Sequence, residues 1–153
     1  MMPKNELQSF LEKFHGKKIV FTNGCFDIIH PGHITYLNQA KKLGDVLIVG
    51  INSDASVARL KGPNRPINNQ VDRKFVLENL RCVDFVEIFS EDTPLNLILK
   101  IKPQILTKGG DWPVDKIVGA KEVMSWGGTV KSLTHVPGKS TTSIIDKISQ
   151  QSE

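Results

Sequence analysis

An open parallel β-sheet with helices on both faces is the fold class that the 153-residue sequence predicts, on three observations. Short apolar or β-branched runs recur at residues 19–21, 46–51, 83–89, 104–107 and 129–133. A stretch of helical character follows each run, so strands and helices alternate along the chain. Strands joined through helices run parallel and require right-handed crossovers, which leads to an α/β sandwich. Composition is the third observation. With 39% hydrophobic and 24% charged residues, the chain supports one core and leaves no room for a second full domain.

The elements can be placed in order. Leu7, Phe10, Leu11 and Phe14 space as a short amphipathic lead-in helix within residues 1–16, ahead of a core over residues 17–148. After the first strand, Ile34, Leu37, Ala40 and Leu43 recur every third residue behind Pro31-Gly32, and Gly44 stands where a C-terminal cap belongs. Ser53 and Asp54 are candidate caps for a helix after the second strand. Residues 61–69, Lys-Gly-Pro-Asn-Arg-Pro-Ile-Asn-Asn, are too rich in Pro, Gly and Asn to be regular and read as a basic loop. Val71, Phe75, Val76 and Leu80 make the next apolar stripe, on a segment that also carries Arg73 and Arg81. Asp92-Thr93-Pro94 reads as a capped start for a helix bearing Leu95, Ile98 and Leu99. Ile144, Ile145 and Ile148 mark the last helix, entered from Ser140-Thr141-Thr142. The whole is a Rossmann-like arrangement.

Several function classes are disfavoured by composition. No apolar run approaches the roughly 20 residues that cross a bilayer, and the first residues lack the apolar centre of a signal peptide. A cytoplasmic protein without a membrane partner is expected. Cys25 and Cys82 lie far apart and belong to no Cys-x-x-Cys pair, so neither a disulfide framework nor a thiolate zinc site is indicated. Lys plus Arg number 20 against 16 Asp plus Glu, and the resulting +4 favours an anionic ligand. No concentrated basic tract or aromatic stacking surface points to nucleic acid.

Chemistry concentrates in residues 22–33, Thr-Asn-Gly-Cys-Phe-Asp-Ile-Ile-His-Pro-Gly-His, which run from the end of the first strand into the first core helix. In an open parallel sheet ligands bind at that edge, and the free N–H groups of a first helical turn attract phosphate oxygens. His30 and His33 flank Pro31-Gly32, so both can face one ligand and donate hydrogen bonds to a phosphoryl group as it gains charge. The plain alternative is that one caps the helix and the other packs in the core. A zinc site from Cys25, His30 and His33 lacks a persuasive fourth ligand, and neither GxxxxGK[ST] nor GxGxxG occurs.

TNGCFDIIHPGH resembles the first signature of the HxGH nucleotidylyltransferases, and GKSTTSII near the C-terminus resembles their second. Between them, the segments GINSDASVARLKGPNRPIN, RKFVLENLRCVDFVEIFSEDTP and LTKGGDWPVDKIVGAKEV are similar to the adenylyltransferase domain of bacterial enzymes that make ADP-heptose. The resemblance implies a Rossmann-like nucleotidylyltransferase fold and transfer of AMP from ATP to D-glycero-β-D-manno-heptose 1-phosphate, for lipopolysaccharide core or related glycans. Mg²⁺ is implied as the companion of ATP, held mainly by phosphates and water, with no protein ligand named. Family relatives carry a sugar kinase domain for which this chain has no room, so a separate kinase is expected. A homo-oligomer, most simply a dimer, is also implied.

By the same resemblance, His30, His33 and Lys61 are catalytic, with Lys61 on a loop that closes over the phosphates. Asn23, Gly24, Cys25, Phe26, Ser140, Thr141 and Thr142 join the two histidines around the nucleotide. Asp27, Arg73, Lys108, Gly109 and Asp111, together with Lys61, face the acceptor, and Arg65 is a further candidate on its Pro-bounded loop. Simpler roles compete: an Asx turn for Asp27, a glycine turn at 109–110, N-capping for one of the three hydroxyls. Where some related cytidylyltransferases have an arginine before the second signature, His135 stands here. The alternatives are transfer from CTP to glycerol 3-phosphate, transfer from ATP to a pantetheine phosphate, and a noncatalytic nucleotide- or nucleic-acid-binding module.

Overall fold

The computed structural model describes residues 3–110, 112–133 and 139–151. In chain order the elements are α1 (Glu6–Lys13), β1 (Ile19–Gly24), α2 (Pro31–Lys41), β2 (Val46–Asn52), α3 (Asp54–Lys61), α4 (Gln70–Glu78) and β3 (Phe85–Phe89). They continue with α5 (Leu95–Ile101), β4 (Ile105–Gly109), a 3₁₀ turn (Val114–Lys116), α6 (Ala120–Ser125), β5 (Thr129–Leu133) and α7 (Thr141–Gln151). The strands form one open sheet in the order β3-β2-β1-β4-β5, with every neighbouring pair parallel. Chain direction through the sheet reverses between β1 and β4, the point at which such sheets bind ligands.

Alternation of side chains across each strand divides the core in two. Phe21, Ile48, Leu106 and Val130 pack on one face with Leu7 of α1, Leu97 and Ile98 of α5 and Val123 of α6. Val20, Leu47, Val49 and Ile105 pack on the other with Leu37 and Ala40 of α2 and Leu77 of α4. β2 is buried along its whole length, as a parallel strand covered on both faces must be. Among the described residues no helix is long and apolar enough to cross a membrane.

Three local expectations need correction. On α4 the apolar residues Val71 (68%), Phe75 (66%) and Val76 (44%) are exposed, while Arg73 and Leu77 point inward. The i, i+4 pair faces the sheet because the Arg73 guanidinium finds backbone acceptors there, which apolar periodicity does not register. Gly44 is not a left-handed cap; α2 ends at Lys41 with Lys42 as its cap. A Cβ at residue 44 would lie 2.7 Å from the Lys18 carbonyl, which accepts hydrogen bonds from Asp45 and Val46, so glycine is needed for that close passage. Asp92 caps nothing on α5, which starts behind Pro94 without a side-chain cap; its carboxylate pairs with Arg59 instead.

Candidate active site

The loop after β1 is shaped by Phe26, a buried residue in the left-handed region at φ 50°. Non-glycine residues are uncommon there, and they gather where the surrounding structure over-determines a site. The turn returns the chain to His30, the N-cap of α2, whose extended backbone (φ −142°, ψ 171°) precedes Pro31. Proline suits this first helical position because its missing N–H has no intrahelical partner to lose.

The two histidines cap the helix reciprocally. Gly32 donates its N–H to His30 Nδ1 at 3.1 Å, and His30 donates its own to His33 Nδ1 at 3.4 Å, the weaker bond of the two. Their rings lie 3.9 Å apart, tilted by 30°, and the Phe26 ring leans on His33 at 5.0 Å. A Cβ at residue 32 would come within 2.8 Å of the His30 ring, so the glycine between the histidines is a steric requirement of this packing. In a neutral imidazole whose Nδ1 accepts, the proton sits on Nε2. His33, which accepts at Nδ1, therefore carries its proton on Nε2, and both rings line the cleft. Burial, then the neighbouring His30, then Lys61 push the His33 pKa down to about 4, which keeps it neutral at physiological pH.

That cleft has a volume of about 300 Å³ and is walled by chain segments far apart in sequence. It gathers Asn23 to Asp27 from the end of β1 and the loop after it, the histidine pair, Lys61 at the end of α3, Arg65 from the connection that follows, Lys108 and Gly109 at the end of β4, and residues 139–142 at the start of α7. Lys61, Arg65, Lys108 and Lys139 make the wall cationic. Asp27 is its only carboxylate among the described residues, and it is engaged by the backbone N–H groups of Ile67 (2.7 Å) and Asn68 (2.8 Å). Such a wall suits a polyanion. The Cys25 thiol donates to Asn52 Oδ1 at 3.7 Å, and burial raises its pKa despite nearby Lys61, Arg73 and Arg65. It stays protonated, so what Cys25 offers a ligand is backbone and not a thiolate.

The hydroxyls entering α7 divide their work. Ser140 Oγ accepts from the Ser143 N–H at 2.9 Å as an N-cap, and Thr141 Oγ1 donates to the Ile28 carbonyl at 3.1 Å, tying α7 to the loop before His30. Thr142 is exposed on the cleft wall. Beneath the floor, the buried Tyr36 hydroxyl joins Thr22 and Thr107, linking β1 to β4 across the reversal.

One expected site residue lies elsewhere. Arg73 does not line the cleft; its side chain is fully buried behind it. Nη1 donates to the carbonyls of Cys25 (2.9 Å) and Asn52 (2.8 Å), Nε to that of Asn68 (2.9 Å), and Nη2 to Asp54 (2.8 Å). It joins the ends of β1 and β2, the first turn of α3 and the loop before α4. Asp111 and His135 lie outside the described residues. The sequence reading missed Tyr36 and Lys139 on the wall. Their adjacency to the two signatures, including the i, i+3 spacing of His33 and Tyr36, was the available signal.

A model of the cytidylyltransferase-like family matches residues 21–147. The chain is 56% identical over 137 residues to the bifunctional protein HldE of Geotalea uraniireducens (strain Rf4), covering 90% of this chain and 28% of that protein. To the bifunctional protein HldE of Marinomonas sp. (strain MWYL1) it is 56% identical over 148 residues, covering 96% and 31%. The chain thus spans less than a third of the length of these relatives. Among solved structures, the lipopolysaccharide core biosynthesis protein from Thermoplasma volcanium GSS1 superposes with a TM-score of 0.62 at 34% identity, over 79% of this chain and 98% of that one.

Proposed function

Because the chain belongs to the cytidylyltransferase-like family of nucleotidyltransferases, we propose that it transfers AMP from ATP to D-glycero-β-D-manno-heptose 1-phosphate, giving ADP-heptose and pyrophosphate. The observation that carries the chemistry is the stacked imidazole pair at the N-terminus of α2, both Nδ1 atoms accepting from backbone N–H groups and both rings on the wall of the cleft. An oxygen of the sugar phosphate attacks the α-phosphorus of ATP; that P–O bond forms as the bond from the α-phosphorus to the bridging oxygen breaks, and pyrophosphate leaves. The nucleophile is already an anion, so no general base is required. No covalent enzyme intermediate forms. The work of the protein is positioning and charge stabilisation.

On this reading His30 and His33 donate to phosphate oxygens as charge builds on them, aided by the amides of the first turn of α2. Lys61, exposed at the end of α3, supplies a mobile cation for the triphosphate. Lys108 and Gly109 serve the acceptor, while Asn23 to Phe26 and residues 140–142 surround the nucleotide. Mg²⁺ accompanies ATP and neutralises phosphate charge. Both oxygens of Asp27 are taken by protein donors, which fits an ion held by phosphates and water and not by this carboxylate.

The heptose assignment is supported by the resemblance of the segments around Lys61 and Lys108 to ADP-heptose-forming adenylyltransferases and by the similarity to a lipopolysaccharide core biosynthesis protein. The proposal places the reaction in the cytoplasm and in a homo-oligomer, with the acceptor made by a sugar kinase activity. The family model favours one second reading, transfer from CTP to a phosphorylated acceptor such as glycerol 3-phosphate. Pyrophosphate release measured across a matrix of ATP and CTP with heptose 1-phosphate, glycerol 3-phosphate and phosphopantetheine separates them. Turnover with ATP and the heptose phosphate, yielding a product of ADP-heptose mass, is expected. Turnover confined to CTP and glycerol 3-phosphate selects the second reading, and nucleotide binding without pyrophosphate release for any acceptor removes both.

A further inference from the structure

On the cleft side, the connection between α3 and α4 is held to the loop after β1 through the carboxylate of Asp27. Asp27, 1% exposed in its side chain, accepts from the N–H groups of Ile67 and Asn68 and from Arg65 Nε at 3.4 Å, while Asn68 Nδ2 donates back to the Asp27 carbonyl at 2.7 Å. Arg65 is thereby fixed through its Nε, with only 14% of its side chain exposed, on the wall of the cleft. Its Nη2 is buried, and no acceptor among the described residues lies within hydrogen-bonding distance of it. Buried guanidinium donors are almost always satisfied, so one left over in a cationic cleft calls for an acceptor from outside the chain.

We propose that Arg65 is a further substrate-binding residue whose Nη2 donates to the phosphate of the acceptor, and that Asp27 is a positioning residue that sets the angle of the guanidinium. The assignment rests on the transferase reading above. On that reading the nucleotide phosphates are served from α2 and from the start of α7, two elements tied together through Thr141 and Ile28. Arg65 comes from a different wall, beyond β2. In an in-line displacement the attacking and leaving oxygens stand on opposite sides of the phosphorus, so the acceptor phosphate needs a cation apart from those that hold pyrophosphate. A guanidinium clamped through Nε presents its outer N–H groups in a fixed fork suited to phosphate.

The test is steady-state kinetics with ATP and heptose 1-phosphate for the wild type, Arg65→Gln, Arg65→Lys and Asp27→Asn, with calorimetric titration of heptose 1-phosphate alongside. Arg65→Gln is expected to raise the acceptor KM about 10- to 100-fold while leaving the ATP KM within about twofold, and to weaken heptose phosphate binding by a similar factor. Arg65→Lys should recover only part of the loss. Asp27→Asn should move the acceptor KM in the same direction and add little when combined with Arg65→Gln. If Asp27→Asn does not fold, the two Arg65 variants carry the test alone. An acceptor KM within about twofold of wild type, or a rise confined to the ATP KM, overturns the proposal. Should the wild type turn over no heptose phosphate, the transferase reading fails by itself. Arg65 is then judged by calorimetry of inorganic phosphate, where equal affinity of wild type and Arg65→Gln overturns its role and a tenfold difference upholds a phosphate site.

Discussion

The turn into α2 and the connection from α3 to α4 both end on the cleft, yet they are held there by different means. The first is built from neighbours: His30 and His33 bond to backbone within three residues of themselves, and Gly32 leaves room for the ring folded over it. The second is held from a distance. Residues 65–68 are anchored by Asp27, some 40 positions earlier, and the loop is braced from behind by Arg73 through the carbonyls of Cys25 just after β1, Asn52 on β2 and Asn68 in the loop itself. A locally closed motif keeps its geometry as long as its own few residues are present. A remotely anchored one inherits its geometry from the rest of the fold, so its residues can tune substrate binding without disturbing the phosphate cradle.

Changes aimed at each region test that contrast, and the largest effect is expected at the remote brace. Arg73→Ala takes a fully buried guanidinium away from Asp54 and three backbone carbonyls and should destabilise the fold by about 3–5 kcal/mol, read by urea denaturation. Arg73→Lys should recover little, because one ammonium cannot reach four acceptors spread over four segments. A loss below about 1 kcal/mol would mean that the connection holds itself. His30→Ala should instead cut kcat by about 10²–10³-fold while lowering stability by only about 1 kcal/mol, the loss of one cap, as followed by pyrophosphate release and thermal melting. Gly32→Ala is expected to reduce kcat by about 10²-fold with the fold intact, since the methyl group would displace the His30 ring. A Gly32→Ala enzyme of wild-type rate would show that the ring position is immaterial.

Smaller effects lie on the mobile cation and on protonation. Lys61→Ala should lower kcat/KM by about tenfold without a measurable change in melting temperature, because the side chain is exposed and its proposed role is toward the ligand. His33 binds its proton near pH 4 in the folded chain and near 6.5 when unfolded, so between those values the unfolded state holds more protons. Stability should therefore rise with pH across that window and be lost on acidification. His33→Asn should flatten the slope of melting temperature against pH between 4 and 6.5; an unchanged slope would place the titration elsewhere.

Much of the first region was legible in the sequence, because its signal is contiguous: strand, Gly, His-Pro-Gly-His, helix. The alternation of strands and helices was equally readable, since each run is long enough to carry a period. What escaped depends on partners that are remote in sequence. Arg73 was assigned to the acceptor through the family resemblance alone, and only the convergence of three backbone carbonyls makes an inward guanidinium favourable. The same fact hid which face of α4 is buried and left Val71 and Phe75 in solvent. Asp27 could be read as a turn residue or a ligand; its bonds to Ile67 and Asn68 make it a clamp, and no spacing rule links positions 27 and 67. For the hydroxyls of α7, sequence suggested donors in general, whereas separating cap from tether required the positions of Ser143 and Ile28.

The joining of Thr141 to Ile28 has an outcome in the time order of synthesis. Half of the phosphate cradle emerges from the ribosome more than a hundred residues before the other half, so a nascent chain can assemble its sheet and both stacked imidazoles without being able to grip a nucleotide. On the proposed reading, ligand capture waits for residues 139–142 to dock, so nucleotide binding is expected to report late on completed folding.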